Sequence, residues 1–325
     1  YFLTTTDASM YYADHDSISG ALTKYDLSLL FTLGGKPWYI GPFSMSGGDI
    51  TQNYLAAISE QGEVILFSGA YPGFTEWDIV GKYYMAAPVG RQSFFNWGTD
   101  IVVITYDGLV SLRDIVNAPQ SEYVFLSDNI ASAFKTEVLA SVAAGYSNYT
   151  QGVVYPKGQY LIINFFGSGG AGTTTSNQLV MNTQTRAWAK FTNQNAICWA
   201  LHNNNLYFGT VTGSNNSFVG LADNGYFDEN MESAGAALTR TTKMRPAYNF
   251  FGDASHKKRF LFAIPHMFQS EGMQLTMDAD VDFKNVAATQ TVTPDNADTS
   301  YKYYAPNVGL ASVGKCASIR IDQSV

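Results

Sequence analysis

The chain has 325 residues, of which 46% are hydrophobic and only 14% charged, against roughly 25% charged in an average soluble protein; it is long enough for one large all-β domain or two ordinary ones. A net charge of −8 argues against a general affinity for nucleic acid, because such affinity needs basic side chains that displace condensed counterions; it leaves open a surface that DNA merely slides past. No apolar run reaches the roughly 20 residues of a membrane span and no charged-then-apolar leader precedes Tyr1, so the expectation is a soluble chain without a membrane span.

The first residues, Tyr1-Phe2-Leu3-Thr4, already read as a strand and no initiator Met precedes them, which predicts a longer parent polypeptide. Residues 9–31 read as a first hairpin around the polar turn DHDSISG. After the breaker Gly34-Gly35-Lys36-Pro37, residues 53–68 (NYLAAISEQGEVILFS) form two apolar runs around the tip Glu60-Gln61-Gly62, and Glu76-Trp77 opens a third run, DIVGKYYM. The same grammar returns in residues 100–115 around Asp107-Gly108, in residues 153–166 around Lys157-Gly158 with a following run that carries Trp188, and in residues 198–209 around Asn203–Asn205. The tips recur roughly every 45 to 50 residues, the period of one small antiparallel sheet repeated around an axis or along a stack.

Residues 127–144 break the strand pattern. Ile130, Phe134, Val138 and Val142 stand at i+4 spacing, Ser127 or Asp128 is available as N-cap, and Gly145 lies just past the end, so the spacing predicts one amphipathic helix. It seals apolar surface between two repeats or docks on a neighbouring subunit. The loop 167–176 (GSGGAGTTTS) lacks the Lys-Ser/Thr ending of a phosphate-binding loop and runs into a strand, so it reads as a hairpin loop. Beyond Gly225 the repeat becomes irregular, with strands expected near 236–244, 260–267, 274–283 and 317–321. The fold class expected is therefore all-β, a β-propeller of repeated small antiparallel sheets over residues 1–235 with one helix insertion, followed over 236–325 by closing strands or a small β platform.

Candidate chemistry is sparse. Asp278, Asp280 and Asp282 alternate along a late strand and are expected to project from one face, where a calcium ion, solvent, or basic residues of another subunit would relieve their repulsion. Phe283 and Thr289 occupy the positions where a calcium-binding EF-hand loop needs Gly and a carboxylate, which favours the last two readings. Residues 240–259 gather Arg240, Lys243, Arg245, His256, Lys257, Lys258 and Arg259, and these face solvent, the acidic patches of a symmetry mate, or DNA phosphates. The histidines His15, His202, His256 and His266 show no metal-ligand spacing, and no Gly-x-Ser-x-Gly elbow is present. Carboxylate pairs such as Asp14 with Asp16, or Glu76 with Asp78, are common by chance, and Cys198 and Cys316 read as free thiols. The expectation is a chain that is not an enzyme and needs no cofactor or metal.

Residues 68–112 (SGAYPGFTEWDIVGKYYMAAPVGRQSFFNWGTDIVVITYDGLVSL) and 179–193 (LVMNTQTRAWAKFTN) resemble the β-propeller region of tail proteins from short-tailed bacteriophages. The likeness runs from about Asn53 to Phe283. It rests on Ala87-Pro88-Val89-Gly90-Arg91 before an aromatic pair, on Gly98-Thr99-Asp100 before a strand that ends at Asp107-Gly108, and on Asn182-Thr183-Gln184-Thr185 before Ala187-Trp188. The resemblance implies a structural subunit of a tail hub or nozzle in the virion, a homo-oligomeric ring beneath the portal or adaptor that contacts other tail proteins and lets the genome pass without sequence-specific binding. The alternative is a carbohydrate-binding or carbohydrate-cleaving propeller, for which exposed Trp38, Trp77 or clustered tyrosines would speak.

Overall fold

The computed structural model describes residues 1–3, 6–13, 19–47, 50–118, 124–167, 175–192, 194–211, 217–223, 228–229, 237–238, 241–269, 274–284, 290–292, 302–305 and 307–324. Strands account for 51% of it and helices for 10%, so the fold is all-β-like, with several small antiparallel sheets. The chain divides into two compact units, Tyr1–Asn224 and Gly225–Val325.

Among the described residues the first unit holds five antiparallel meanders in chain order: Phe2–Leu3, Ser9–Tyr12 and Thr23–Asp26; then Pro37–Gly47, Ile50–Ser59, Glu63–Ser68 and Asp78–Tyr84; then Phe94–Trp97, Asp100–Ile104 and Leu109–Ser111; then Gln151–Tyr155, Tyr160–Phe166, Ser176–Asn182 and Trp188–Phe191; then Cys198–His202, Asn205–Val211 and Ser217–Leu221. Each sheet shares a hydrophobic core with the next. Met10 and Leu27 of the first meet Ala57, Ile65 and Phe67 of the second, whose other face, Ala56, Ile58, Val64 and Leu66, meets Ile101, Val103 and Val110 of the third. Val102 and Ile104 of the third meet Leu161, Ile163 and Phe165 of the fourth, and Ile162 and Val180 of the fourth meet Trp199, Leu206 and Phe208 of the fifth.

This explains why the interior strands read as unbroken apolar runs rather than alternating ones. In Ile101-Val102-Val103-Ile104, successive side chains enter two different cores because neighbours on a strand point to opposite faces. Burying one such side chain stabilises the fold by about 1.5–3 kcal/mol. The tips hold the meanders in register. Asn203 and Asn204 take φ of 48° and 58°, the left-handed pair of a two-residue hairpin, between the paired residues His202 and Asn205. Gly62 has φ 84° and a Cβ there would lie 2.3 Å from the Met85 carbonyl oxygen, so this tip requires glycine.

Helix α1, Leu112–Asn117, replaces the end of what the sequence reads as a strand, and the Ser111 side chain accepts from the Asp114 amide at its start. Helix α2, Ala131–Ala143, follows a 3-10 turn at Asp128–Ile130 and lies within the predicted segment. Its Phe134 and Val138 enter the core shared by the third and fourth sheets, which matches the sealing role. Ser127 does not cap it: the Ser127 hydroxyl accepts from the Leu109 amide at 3.0 Å, so tertiary contact takes the group that the spacing had assigned to the helix end. Gly145, φ 79°, closes α2 with its amide on the Val142 carbonyl and the Tyr146 amide on the Ser141 carbonyl.

The second unit pairs Thr241–Met244, Ala317–Ser324, Gln274–Val281 and Gln290–Val292 into one antiparallel sheet, in that spatial order. A two-stranded ribbon, Lys258–Ala263 with Val308–Gly314, contributes Val308 and Ala263 to a core with Leu275, Met277, Ile319 and Ile321. Met267–Gln269 pairs Lys302–Tyr304, and Asp228–Glu229 pairs Ala237–Leu238.

Candidate functional site

Asp278, Asp280 and Arg245, three of the residues that the sequence singles out, meet on the four-stranded sheet of the second unit, together with Arg320, which it does not. Asp278 and Asp280 lie two apart on the strand Gln274–Val281 and therefore share a face, as expected. Both are buried, Asp280 completely. Arg320 sits directly opposite Asp278 on the neighbouring strand and donates from Nη2 to its Oδ2 at 3.0 Å. The same guanidinium lies 3.7 Å from Asp280 Oδ1 and 3.6 Å from Asp322 Oδ2. Arg245 closes the other side, 3.2 Å from Asp280 Oδ2, with its guanidinium against the Tyr248 ring, which in turn packs 4.4 Å from Phe283.

These contacts correct the two favoured readings of the acidic trio. Asp278 and Asp280 face neither solvent nor another subunit, because two arginines of the same unit neutralise them, and Arg320 stands among three carboxylates where a cation would otherwise be needed. Burial holds the Asp278 carboxyl above its usual range even though Arg320 pulls it the other way. Asp282 departs from the shared face. The strand ends at Val281, Asp282 and Phe283 take φ of 50° and 62°, and the turn swings the Asp282 carboxylate onto the amides of Lys315 and Cys316 at 2.7 and 3.3 Å. Those donors hold its pKa below the ordinary carboxylate value.

The basic stretch also divides. Arg245 is committed to Asp280, and Lys258 donates to the backbone carbonyl of Asp253. Both therefore have a partner within the same unit. Lys243, Lys257 and Arg259 are exposed, and Arg240 falls outside the described residues. A serine, a histidine and an aspartate do come together here, since His256 Nδ1 lies 2.7 Å from Asp253 Oδ2 and 2.8 Å from Ser255 Oγ. One nitrogen serves both partners, whereas a proton relay needs the acid on one ring nitrogen and the hydroxyl on the other. Asp253 instead caps its turn through the Ser255 amide and hydroxyl, which lower its pKa far below the ordinary value.

Two buried charge sites escaped the sequence. Glu137 on α2 is buried between Lys190 at 2.5 Å and the Asn177 amide at 2.9 Å, tying the helix to the fourth sheet. Glu63 is fully buried and accepts from the amides of Thr32 and Leu33, both at 2.9 Å, clamping the loop after the first sheet to the second. Their partners lie 30 or more residues away, and no spacing announces them. Of the remaining candidates, Asp14, Asp16 and His15 fall outside the described residues, Glu76 and Asp78 are exposed, and Cys198 is exposed while Cys316 is buried. Among the described residues no group of three or more His, Cys, Asp or Glu side chains is placed to hold a metal ion, and no helix is long and apolar enough to cross a membrane.

No protein family matches the chain, and no curated protein matches it.

Proposed function

We propose that this chain is a structural, non-enzymatic subunit of a bacteriophage tail hub or nozzle, that its five meanders are consecutive blades of a β-propeller, and that copies assemble in the host cytoplasm into a homo-oligomeric ring. In the virion such a ring forms part of the conduit for genome ejection and a platform, beneath the portal or adaptor, for other tail proteins. The observation that carries this reading is the unbroken chain of shared cores from the first sheet to the fifth. Interior strands buried on both faces make a stiff block with little capacity for hinge motion, which suits a mechanical part better than a binding cleft. The fifth sheet supports the closure: its outward side chains Val219 and Leu221 are exposed, the kind of apolar face that the other sheets cover with a neighbour.

Charge supports the conduit. The first unit carries nine basic against sixteen acidic residues, so DNA, itself a polyanion, slides past it rather than adhering. Mass measurement in solution tests the reading. It predicts a stable multiple of the 35.5 kDa chain, and a strictly monomeric protein at all concentrations contradicts it.

One observation favours a second reading, carbohydrate recognition. The rings of Tyr1, Tyr12, Tyr71 and Phe74 form a row with centroids 6.5, 6.5 and 5.6 Å apart, in which Tyr1, Tyr71 and Phe74 are exposed and Tyr12 is half-buried. Amphipathic rings of this kind can stack on sugar faces. Binding to a glycan array that disappears in a Tyr12→Ala, Tyr71→Ala double variant would establish this reading in place of the passive conduit.

A further inference from the structure

The ribbon Lys258–Ala263 with Val308–Gly314 is covered on one face only. Val308 and Leu310 are buried, but Leu261, Phe262 and Val313 are 56%, 55% and 56% exposed, and Ile264 just beyond is 44% exposed. Among the described residues this sheet has two strands, and a bulge between Phe260 and Phe262 breaks its alternation, leaving Leu261 and Phe262 outward in succession. Isolated exposed apolar residues are ordinary, whereas a contiguous apolar face with a polar rim marks a contact surface.

The rim identifies the occupant. Lys257 and Arg259 are exposed beside the patch. Within the second unit the ten basic and eleven acidic residues nearly cancel, while the first unit has a surplus of seven acids. A basic-rimmed apolar face on a chain whose excess negative charge lies almost wholly in its other unit is complementary to that other unit on a second copy. Such a contact is heterologous: one surface meets a different one, and repetition builds a ring when the rotation between copies closes.

We propose that the outward face of this ribbon, with Leu261, Phe262, Ile264 and Val313 as its apolar centre and Lys257 and Arg259 as its rim, is the surface through which one copy grips the acidic first unit of the next. The inference rests on the ring reading above and names the surface that builds the ring. Phe262 anchors the contact, and the two cations set its register and its sensitivity to salt.

Two variants test it, each checked for wild-type circular dichroism and melting: Phe262→Asp, and the double charge reversal Lys257→Glu with Arg259→Glu. Sedimentation should show each weakening self-association by roughly tenfold or more, and raised salt should weaken the wild type but not the charge-reversed variant. The charge reversal keeps the test sound if Phe262→Asp fails to fold. Zero-length crosslinking of a mixture of unlabelled and isotope-labelled chains should then join Lys257 of one copy to carboxylates within residues 1–224 of another. A wild-type ring that survives both variants overturns the ribbon and leaves the tail reading standing; a wild type that never self-associates overturns both. Crosslinks confined to single copies, or retention of a random DNA duplex that depends on Lys257 and Arg259 without self-association, also overturn the proposal.

Discussion

Arg320 shows at residue scale how an acidic cluster is tolerated inside a sheet. Its guanidinium reaches Asp278, Asp280 and Asp322 from one cross-strand position, and Arg245 completes the arrangement. Removing one partner of a buried pair strands the remaining charge, so Arg320→Met should cost the second unit about 3 kcal/mol, the low end of the usual range because Arg320 itself is partly exposed. Urea unfolding followed by a probe in the second unit measures this; a loss below about 1 kcal/mol would mean that the pair is screened like a surface bridge. The titration signs within the cluster are opposed. Asp282 has a lowered pKa, so its contribution is present above the unfolded value near 4 and is lost as pH falls below it; Asp278 has a raised pKa, so its protonated form favours the folded state on the acid side. Asp282→Asn should therefore flatten the acid limb of the stability curve, read by melting temperature between about pH 5 and pH 2, and an unchanged acid limb would refute the backbone-capping account. The alternation of Asp278 and Asp280 was legible because side-chain direction on a strand follows a period of two. Their partner was not: Arg320 lies 42 residues from Asp278, and only strand pairing brings the two together.

At the scale of elements, regular runs were readable and helix ends only in part. The hairpin tips at Gly62 and Asn203–Asn204 follow from turn chemistry that admits few alternatives, whereas Gly108 makes room for Phe125 and Ser127. Helix α2 followed from its i+4 stripe, and Gly145 marked its end. Helix α1 carried a readable signal, Ser111 three residues before Asp114, but the apolar run preceding it reads as strand and masked the capping pattern. The Ser111 hydroxyl both accepts from the Asp114 amide and donates to Asp100 at 2.5 Å. Ser111→Ala should accordingly destabilise the first unit by about 1–2 kcal/mol, measured by denaturant unfolding, and a neutral effect would show that α1 is held by Leu112 and Ile115 alone. The α2 anchor makes a second demand: a Glu137→Leu, Lys190→Met pair of substitutions removes both charges together and should be far better tolerated than Lys190→Met alone, which leaves the Glu137 carboxylate buried without its counter-ion.

At the scale of the whole chain, recurrence was the most informative property of the sequence, since tips at a near-constant spacing foretold repeated small sheets before any strand was paired. How consecutive sheets share cores was legible only in the composition of single strands: Ile101-Val102-Val103-Ile104 and Leu161-Ile162-Ile163 have no polar face because they have no solvent face. The linked cores predict that damage spreads. Ile163→Ala, in the core between the third and fourth sheets, should cost about 2–5 kcal/mol and lower the melting of the first unit as one transition, not as a separate early event. The second unit follows no such repeat, and there the sequence located several strands without revealing that Ala317–Ser324 runs between two others and that Arg320 is the counter-ion of the acidic face. Electron microscopy of the purified assembly bears most directly on the mechanical reading. It predicts a closed ring of identical chains around an open central channel, with the five sheets of the first unit arranged as blades; particles that lack a channel, or that surround a deep cleft lined by the tyrosine row, would contradict it.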